Sequence, residues 1–410
     1  MPFYPSMNRY LRQPLPLLCG ALLCAHLPGQ APDAALEAVI AEEFKEQFGE
    51  DFLSDEELKE LLGEEFMDEL LPEPEWDMDL KARTGLGYGD NVLFGAYEQV
   101  ASAYFLGTVD GLVYRLAEAG ETNAYLYFYG EHMEYFEDVD PGRLYITQGQ
   151  ASRALDEFRT LGLTGTHIFY DQVFDASADL DSFDTFGVSA HQMEAVPHVE
   201  AILQNGIHLK LEAIVGATRY EDSYEDSDNA GGRLTLRKPM APGAYLEATF
   251  LHDDRSYREK QPRDADGYSM DGSLRYRIDE ASLRWRKQGA GPEDWQLSSQ
   301  VRYLRQADNA SGYYDYERVR LTQSATRMFE AWEAGFVVGF TRYDYDVRKA
   351  DFSGTDILWR ESWEVAVDFK RSLGEGAWLF LDGQREHNRS NSPENVYDAL
   401  RVSAGVEWEM

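Results

Sequence analysis

The chain ends in Leu400-Arg401-Val402-Ser403-Ala404-Gly405-Val406-Glu407-Trp408-Glu409-Met410, a stretch in which apolar residues alternate with polar or small ones without exception. Side chains of a β-strand point alternately to its two faces, so this stretch presents one apolar face and one polar face. The pattern predicts a strand with one side against an apolar phase and the other against water.

The same alternation recurs through most of the chain, most clearly at 207–217, 297–303 and 363–369. About sixteen strands are predicted between residues 79 and 410, or fourteen if the weakly patterned segment 144–173 is assigned differently. The economical interpretation is an all-β fold, a transmembrane antiparallel up-and-down β-barrel with apolar residues toward lipid. Closure is required because an open sheet edge in lipid would leave backbone groups unpaired.

The connections between the predicted strands alternate in length. Short ones, such as 204–206 and 373–376, separate long polar ones, such as 256–271 and 389–398. Outer-membrane barrels have short periplasmic turns and long outer loops. An even strand count then places both ends of the barrel on the periplasmic side.

The first 31 residues have the pattern of a secretory signal peptide. Arg9 and Arg12 precede a short apolar run, 15–27, and Gly29-Gln30-Ala31 provides a small-x-small cleavage site, with Ala34 as the second choice. The run is too short to span a bilayer as a helix. The two cysteines of the chain lie inside this segment, so the mature chain is predicted to contain neither a disulfide nor a thiolate site.

Residues 32–78 are predicted to form a short α-helical N-terminal extension in the periplasm. Between residues 33 and 78 there are eighteen Asp and Glu against Lys45 and Lys59. Ser54 and Glu57 form a capping box ahead of an apolar stripe at helical spacing. Three uses remain open: a solvated leader, a docking element for a periplasmic protein through residues 33–71, and a plug for the barrel.

Composition agrees with this organisation. Aromatic residues make up 13% of the chain, which suits girdles at the membrane interfaces, and the formal net charge is −36. Such acidity argues against nucleic acid as a partner, since phosphates require a basic surface. The predicted partners are outer-membrane lipid and lipopolysaccharide, to which the acidic segment 220–229 could bridge through divalent cations.

Three segments also carry a family resemblance: 85–92 in the first strand, 386–392 in the last hairpin and 401–408 in the last strand. They resemble the ends of bacterial outer-membrane β-barrels of porin-like type. That group includes barrels encoded beside exopolysaccharide export systems, and the barrel of surface-lipoprotein assembly modulators is similar. The resemblance implies a barrel in the outer membrane. The chain departs from it by ending in Met410 instead of Phe and by lacking the helical repeats of the assembly modulators.

A ladder of arginines is the candidate functional site. The apolar phase changes between Ile278 and Ala281, which we interpret as a bulge near Asp279 and Glu280. With that bulge the residues predicted to line the pore are Arg275, Arg277, Arg284, Arg286, Arg302, Arg318, Arg320, Glu364 and Asp368. The arginines could guide anions. Alternatively, they could pair with lumen carboxylates, exemplified by Glu212, Glu364, Asp368, Glu407 and Glu409.

No motif of a catalytic site is present: the sequence has no GxSxG, no P-loop and no dinucleotide fingerprint. His191 and His198 would point to opposite faces of a regular strand. We therefore predict no catalytic residues, metal or cofactor. The favoured function is a channel for small solutes or polysaccharide. The alternatives are a non-conducting envelope scaffold, adhesin or assembly partner, and, third, a lipid hydrolase in the barrel wall using His208 or His387.

Overall fold

A computed structural model describes residues 76–410 except 98, 116–121, 138, 176–184, 205, 290–293 and 352–353. The predicted signal peptide and nearly all of the predicted helical extension lie outside the described residues. Both assignments stay predictions.

The described chain is an all-β closed barrel of sixteen antiparallel strands, in which each strand pairs with its neighbours in sequence and β1 pairs with β16. The strands are β1 Asp77–Gly89, β2 Ser102–Arg115, β3 Thr122–Tyr135, β4 Gly142–Asp156, β5 Arg159–Asp175, β6 Thr185–Ile202, β7 His208–Tyr220, β8 Ser227–Ala241, β9 Ala244–Tyr257, β10 Arg275–Lys287, β11 Gln296–Asp308, β12 Tyr316–Phe329, β13 Trp332–Lys349, β14 Ile357–Gly374, β15 Ala377–Ser390 and β16 Tyr397–Glu409.

The predicted barrel with sixteen strands is confirmed. The weakly patterned segment 144–173 forms most of β4 and β5, which are joined by two residues, so the count of fourteen is wrong. In the described residues, helical structure is limited to two short 3-10 turns, Ser223–Glu225 and Pro393–Asn395. None of the helical segments described is long and apolar enough to cross a membrane.

Short and long connections alternate around most of the barrel, as predicted, with 288–295 between β10 and β11 as an exception. Two residues join β4 to β5, β8 to β9, β12 to β13 and β14 to β15, whereas seventeen residues, 258–274, join β9 to β10. Glu375 and Gly376 both have positive φ, 50° and 75°, as the tight type I′ hairpin turn requires. The end with the tight turns also holds Asp77 and Met410, and we name it the periplasmic end.

The barrel is apolar on its outside. Residues opposite each other in register share a face, and the large exposed apolar side chains fall in register on one of the two faces, for example Leu211, Phe250 and Tyr303. The other face carries ion pairs such as Arg83 with Glu407. The first face therefore points outward, toward lipid, and the second toward the lumen.

The inferred bulge near Asp279 and Glu280 is wrong. The register of β10 with β9 and with β11 runs without a break along the strand. Arg275 and Arg277 therefore point outward, and Tyr276 and Ile278 point inward. The apolar phase changes because the surroundings change: at the extracellular end the outside is water and the inside is a packed cluster, whereas lower down the outside is lipid.

That inner cluster fills the extracellular end of the lumen on one side. Its members are buried to at least nine-tenths and come from β9 to β13 and the connections between them: Tyr257, Leu274, Tyr276, Ile278, Leu304, Tyr313, Tyr314, Tyr316 and Tyr343. The connection 258–274 is held there by Lys260, whose Nζ lies 2.8 Å from Glu225 and over the rings of Tyr257 and Tyr314.

Candidate functional site: the barrel lumen

Five of the seven arginines of the predicted ladder point into the lumen. Three adjacent strands, β10, β11 and β12, carry these inward-facing side chains: Arg284, Arg286, Arg302, Arg318 and Arg320. The predicted acids Glu364 and Asp368 also point inward, from β14. Their service as the lining of an open pore stays a prediction.

The two other arginines lie on the outside. Arg277 faces Asp254 on β9 at 4.0 Å, and two-thirds of its side chain is exposed. Arg275 is likewise exposed and outward-facing. Neither can line a lumen, because the strand carries no bulge to turn them inward.

Most of the inward arginines contact carboxylates. Arg302 and Arg318 both lie 3.3 Å from the Glu280 carboxylate. Arg320 reaches across β13 to Glu364 at 3.4 Å. These separations are longer than the 2.7–2.9 Å of a tight charge-assisted hydrogen bond, so the pairs hold the side chains near the wall without enclosing them.

At the lower end of the ladder the arginines have looser partners. Arg284 lies 3.8 Å from Glu247 and donates to the Gln300 side chain at 3.3 Å. Arg286 has no carboxylate within 4.0 Å among the described residues and meets the Tyr245 hydroxyl at 3.5 Å. This end of the wall therefore keeps guanidinium donors directed at the lumen.

Sequence reasoning missed Glu247 and Glu280, which face the arginines. Alternation along the predicted strand 244–255 would have placed Glu247 inward; the inferred bulge concealed Glu280. Higher on the wall, the Nε atoms of Arg318 and Arg320 are buried without a hydrogen-bond partner among the described residues. Both groups therefore retain a donor that no atom of the described residues accepts.

The inward charges are sorted onto opposite walls. Five strands, β8–β12, carry eight inward arginines against four acids, a net of +4: Arg233, Arg237, Arg255, Arg284, Arg286, Arg302, Arg318, Arg320 against Glu247, Asp253, Glu280, Asp308.

Across the lumen, the five strands β14, β15, β16, β1 and β2 carry nine inward acids against five cations, a net of −4: Glu364, Asp368, Asp382, Glu386, Glu407, Glu409, Asp77, Asp79, Asp110 against Arg360, Lys370, Arg401, Lys81, Arg83. The lumen thus has a basic wall and an acidic wall.

A third stretch of wall is apolar and aromatic. Its buried inward residues come from β2 to β6: Leu112, Tyr127, Tyr129, Leu144, Ile146, Ile168, Tyr170 and Ala190. Tyr114, Tyr125 and Tyr220 pack beside them, partly exposed. The partly exposed tyrosines present ring faces that can stack against the apolar faces of ring-shaped solutes.

Among the described residues, no group of three or more His, Cys, Asp or Glu is placed to hold a metal ion. The acidic segment 220–229 is in part strand, since β8 begins at Ser227. Within it, Asp228 pairs with Arg258, and Glu225 pairs with Lys260. Cations of the chain itself thus neutralise part of that segment.

No protein-family model matches the chain, and no curated protein sequence matches it. Several solved barrels are similar in shape. The anion-selective porin of Comamonas acidovorans is 11% identical with a TM-score of 0.44, and 82% of this chain covers 99% of that one. The outer-membrane protein OprD of Pseudomonas aeruginosa is 10% identical with a TM-score of 0.43, covering 82% and 94%. A bacterial polysaccharide outer-membrane secretin is 9% identical with a TM-score of 0.42, covering 81% and 98%.

The architecture by itself places the chain in a membrane class. A closed antiparallel barrel has no unpaired edge, its outer face is apolar, its lumen is charged, and tight turns lie at one end. These are the features of a β-barrel of the bacterial outer membrane. The chain is such a barrel, and the predicted localisation is confirmed at that level.

Proposed function

We propose that the protein is a conduit for small polar or charged solutes across the outer membrane. The observation that carries the proposal is the sorting of inward charges onto a basic wall and an acidic wall. If the inward charges served stability alone, each arginine could pair with a carboxylate on an adjacent strand. A net charge of +4 on one wall and −4 on the other would then not be needed. A sixteen-stranded barrel is wide enough to leave an aqueous channel.

The arginines supply the chemistry. A guanidinium presents its donors in a planar fork that matches carboxylate and phosphate oxygens. Arg302 and Arg320 lie 3.3 and 3.4 Å from Glu280 and Glu364, so an anionic solute would compete with these carboxylates for the guanidinium donors. The aromatic wall favours solutes with a ring, which supports sugars and short saccharides as the neutral part of the cargo.

Conductance across planar bilayers tests the proposal. The mature protein should give discrete steps, and R302Q/R320Q should shift ion selectivity toward cations. The matched control is R275Q/R277Q, which removes the same charge from the outer face and should leave selectivity unchanged. Steps with equal selectivity in all three proteins would mean that the arginines only hold the barrel's shape.

The same measurement on the mature chain without residues 33–75, which leaves β1 intact, addresses the predicted extension. Steps in both forms would make the extension dispensable for conduction, and steps in the shortened form alone would make it a plug. An absence of conductance steps in both forms would contradict the proposed conduit and favour the non-conducting scaffold.

A lipid hydrolase has less support. His387 faces outward and its Nδ1 lies 2.8 Å from Asp398, as in a His–Asp pair. Its Nε2, where a nucleophilic serine would have to sit, instead accepts a hydrogen bond from Arg389 Nε at 2.8 Å. We therefore propose no catalytic role for this histidine.

A further inference from the structure

The outward face at the periplasmic end carries a ring of cations, which we name the periplasmic rim. Every second strand contributes one, with β6 and β16 excepted: Arg115 on β2, Arg153 on β4, Lys238 on β8, Lys287 on β10, Arg327 on β12 and Arg371 on β14. Their register partners are outward residues, most of them apolar, such as Leu161 beside Arg153 and Leu297 beside Lys287. The ring therefore lies at the lower edge of the lipid-facing band.

Acids are nearly excluded from this face. Along the described strands, the one outward carboxylate at the periplasmic end is that of Asp156, and its oxygen accepts from Arg159 Nε at 2.7 Å. The chain as a whole carries 74 acids and 38 Lys and Arg. A row of outward cations whose described strands carry so few outward acids runs against that composition, so the local charge calls for a specific cause.

At the opposite, extracellular edge of the apolar band the outward charges are arranged differently. There several outward cations contact outward acids: Arg342 with Glu361 at 2.9 Å, Arg385 with Asp398 at 3.5 Å and Arg143 with Asp171 at 3.4 Å. Many outward cations of the extracellular edge are thus compensated by acids of the protein itself.

Four members of the periplasmic rim lack that compensation. Arg153, Lys238, Lys287 and Arg371 have no carboxylate within 4.0 Å among the described residues, and each is exposed. Arg371 lies over the ring of Trp332, 5.1 Å from its centroid. An arginine beside an interfacial tryptophan keeps its stem in the apolar band and its charged end at the level of lipid headgroups.

We propose that the periplasmic rim binds the phosphate groups of anionic phospholipids in the inner leaflet of the outer membrane. The complement for an uncompensated cation at this depth is a lipid phosphodiester. A lipid with net negative charge, such as phosphatidylglycerol, satisfies both the hydrogen-bond donors and the charge. Each Lys or Arg near a lipid surface favours an anionic lipid by about fivefold. The ring thus fixes the barrel's depth and recruits a belt of anionic lipid.

The test places the full mature chain in nanodiscs of phosphatidylcholine and phosphatidylglycerol in equal amounts and counts the lipids retained on gentle release by native mass spectrometry. The native protein should retain phosphatidylglycerol in preference to phosphatidylcholine. In R153Q/K238Q/K287Q/R371Q the ratio of the two lipids should fall by at least about fivefold. The matched control, R219Q/R277Q/R342Q/R385Q, removes four outward cations from the extracellular edge and should keep the native ratio.

A native ratio in the rim variant, or no preference in the native protein, would overturn the proposal. Should the rim variant fail to fold, raising the salt for the native protein serves instead, because near 1 M salt screens charges beyond about 3 Å. A preference that survives such salt would be inconsistent with headgroup binding by the rim. Lipid retention is measured independently of conductance. The proposed conduit can therefore be refuted while lipid binding by the periplasmic rim is supported.

Discussion

Arg83 on β1 and Glu407 on β16 join the two ends of the barrel: the arginine Nε and Nη2 lie 2.9 and 2.6 Å from one carboxylate oxygen. Arg83 also donates to Asp382 on β15 at 2.8 Å, and the other oxygen of Glu407 accepts from Lys370 on β14 at 2.7 Å. One network of ion pairs thereby holds the first strand, β1, and the last strand, β16, together at the seam that closes the sheet. Opening that seam would expose two unpaired edges.

Replacing Glu407 by glutamine should destabilise the barrel by about 3 kcal/mol, because two mostly buried cations lose their shared partner. Glu409→Gln is the control: its partner Lys81 is more than a third exposed, and we expect a loss below about 1 kcal/mol. Urea unfolding in lipid vesicles measures both. Equal losses of unfolding free energy in the two variants would mean that burial of the ion pairs at the seam adds nothing to stability.

Gly405→Ala should also weaken the seam. A Cβ at Gly405 would come within 2.0 Å of the Thr84 carbonyl oxygen and 2.8 Å of the Phe380 ring. We expect a cost of about 1–3 kcal/mol, as for overpacking. Gly165→Ala is the control, since nothing lies within 4 Å of the Cβ it would add. A neutral effect at Gly405 would show that β1 and β16 can separate slightly without loss.

Val367→Arg should cost about 2–4 kcal/mol, because Val367 points outward in the middle of the apolar band. Leu373→Arg, outward at the periplasmic end beside Arg371, should cost about 0–1 kcal/mol. The measurement is unfolding in vesicles of defined thickness. The reverse order would mean that the two faces of β14 are exchanged.

The connection between β11 and β12 should loosen as pH rises through about 6. Burial, with the Asp308 and Asp346 carboxylates nearby, raises the pKa of Asp315 to about 6. The pKa of this carboxyl is higher in the folded state than in the unfolded state, where it is about 4. The protonated carboxyl therefore stabilises the folded connection at pH values below about 4. This stabilisation is lost as the pH rises from about 4 to the folded-state pKa of about 6.

Protease cleavage within 309–315 should therefore be slower at pH 5 than at pH 7.5. In Asp315→Asn this difference should disappear, while the amide oxygen can still accept from the Asp308 N–H. A difference of the same size in the variant would assign the pH dependence to another group.

Alternation alone determined the fold class, the strand count and the outward face of the strands from β13 to β16. A half-buried strand must repeat every two residues, and lipid tolerates only a closed sheet. The lengths of the turns likewise predicted which end holds the termini. The signal peptide and the helical extension rest on the sequence alone.

The identity of the lumen residues needed the tertiary structure. Arg275 and Arg277 follow the same alternation as Arg284 and Arg286, yet they lie on the other face, because the strand leaves the membrane between them. An apolar side chain such as Ile278 indicates only that its face is buried, and protein and lipid bury it equally well. Only the register of β10 with its neighbours decides between the two, and the sorting of charge onto opposite walls arises only when sixteen strands close into a ring.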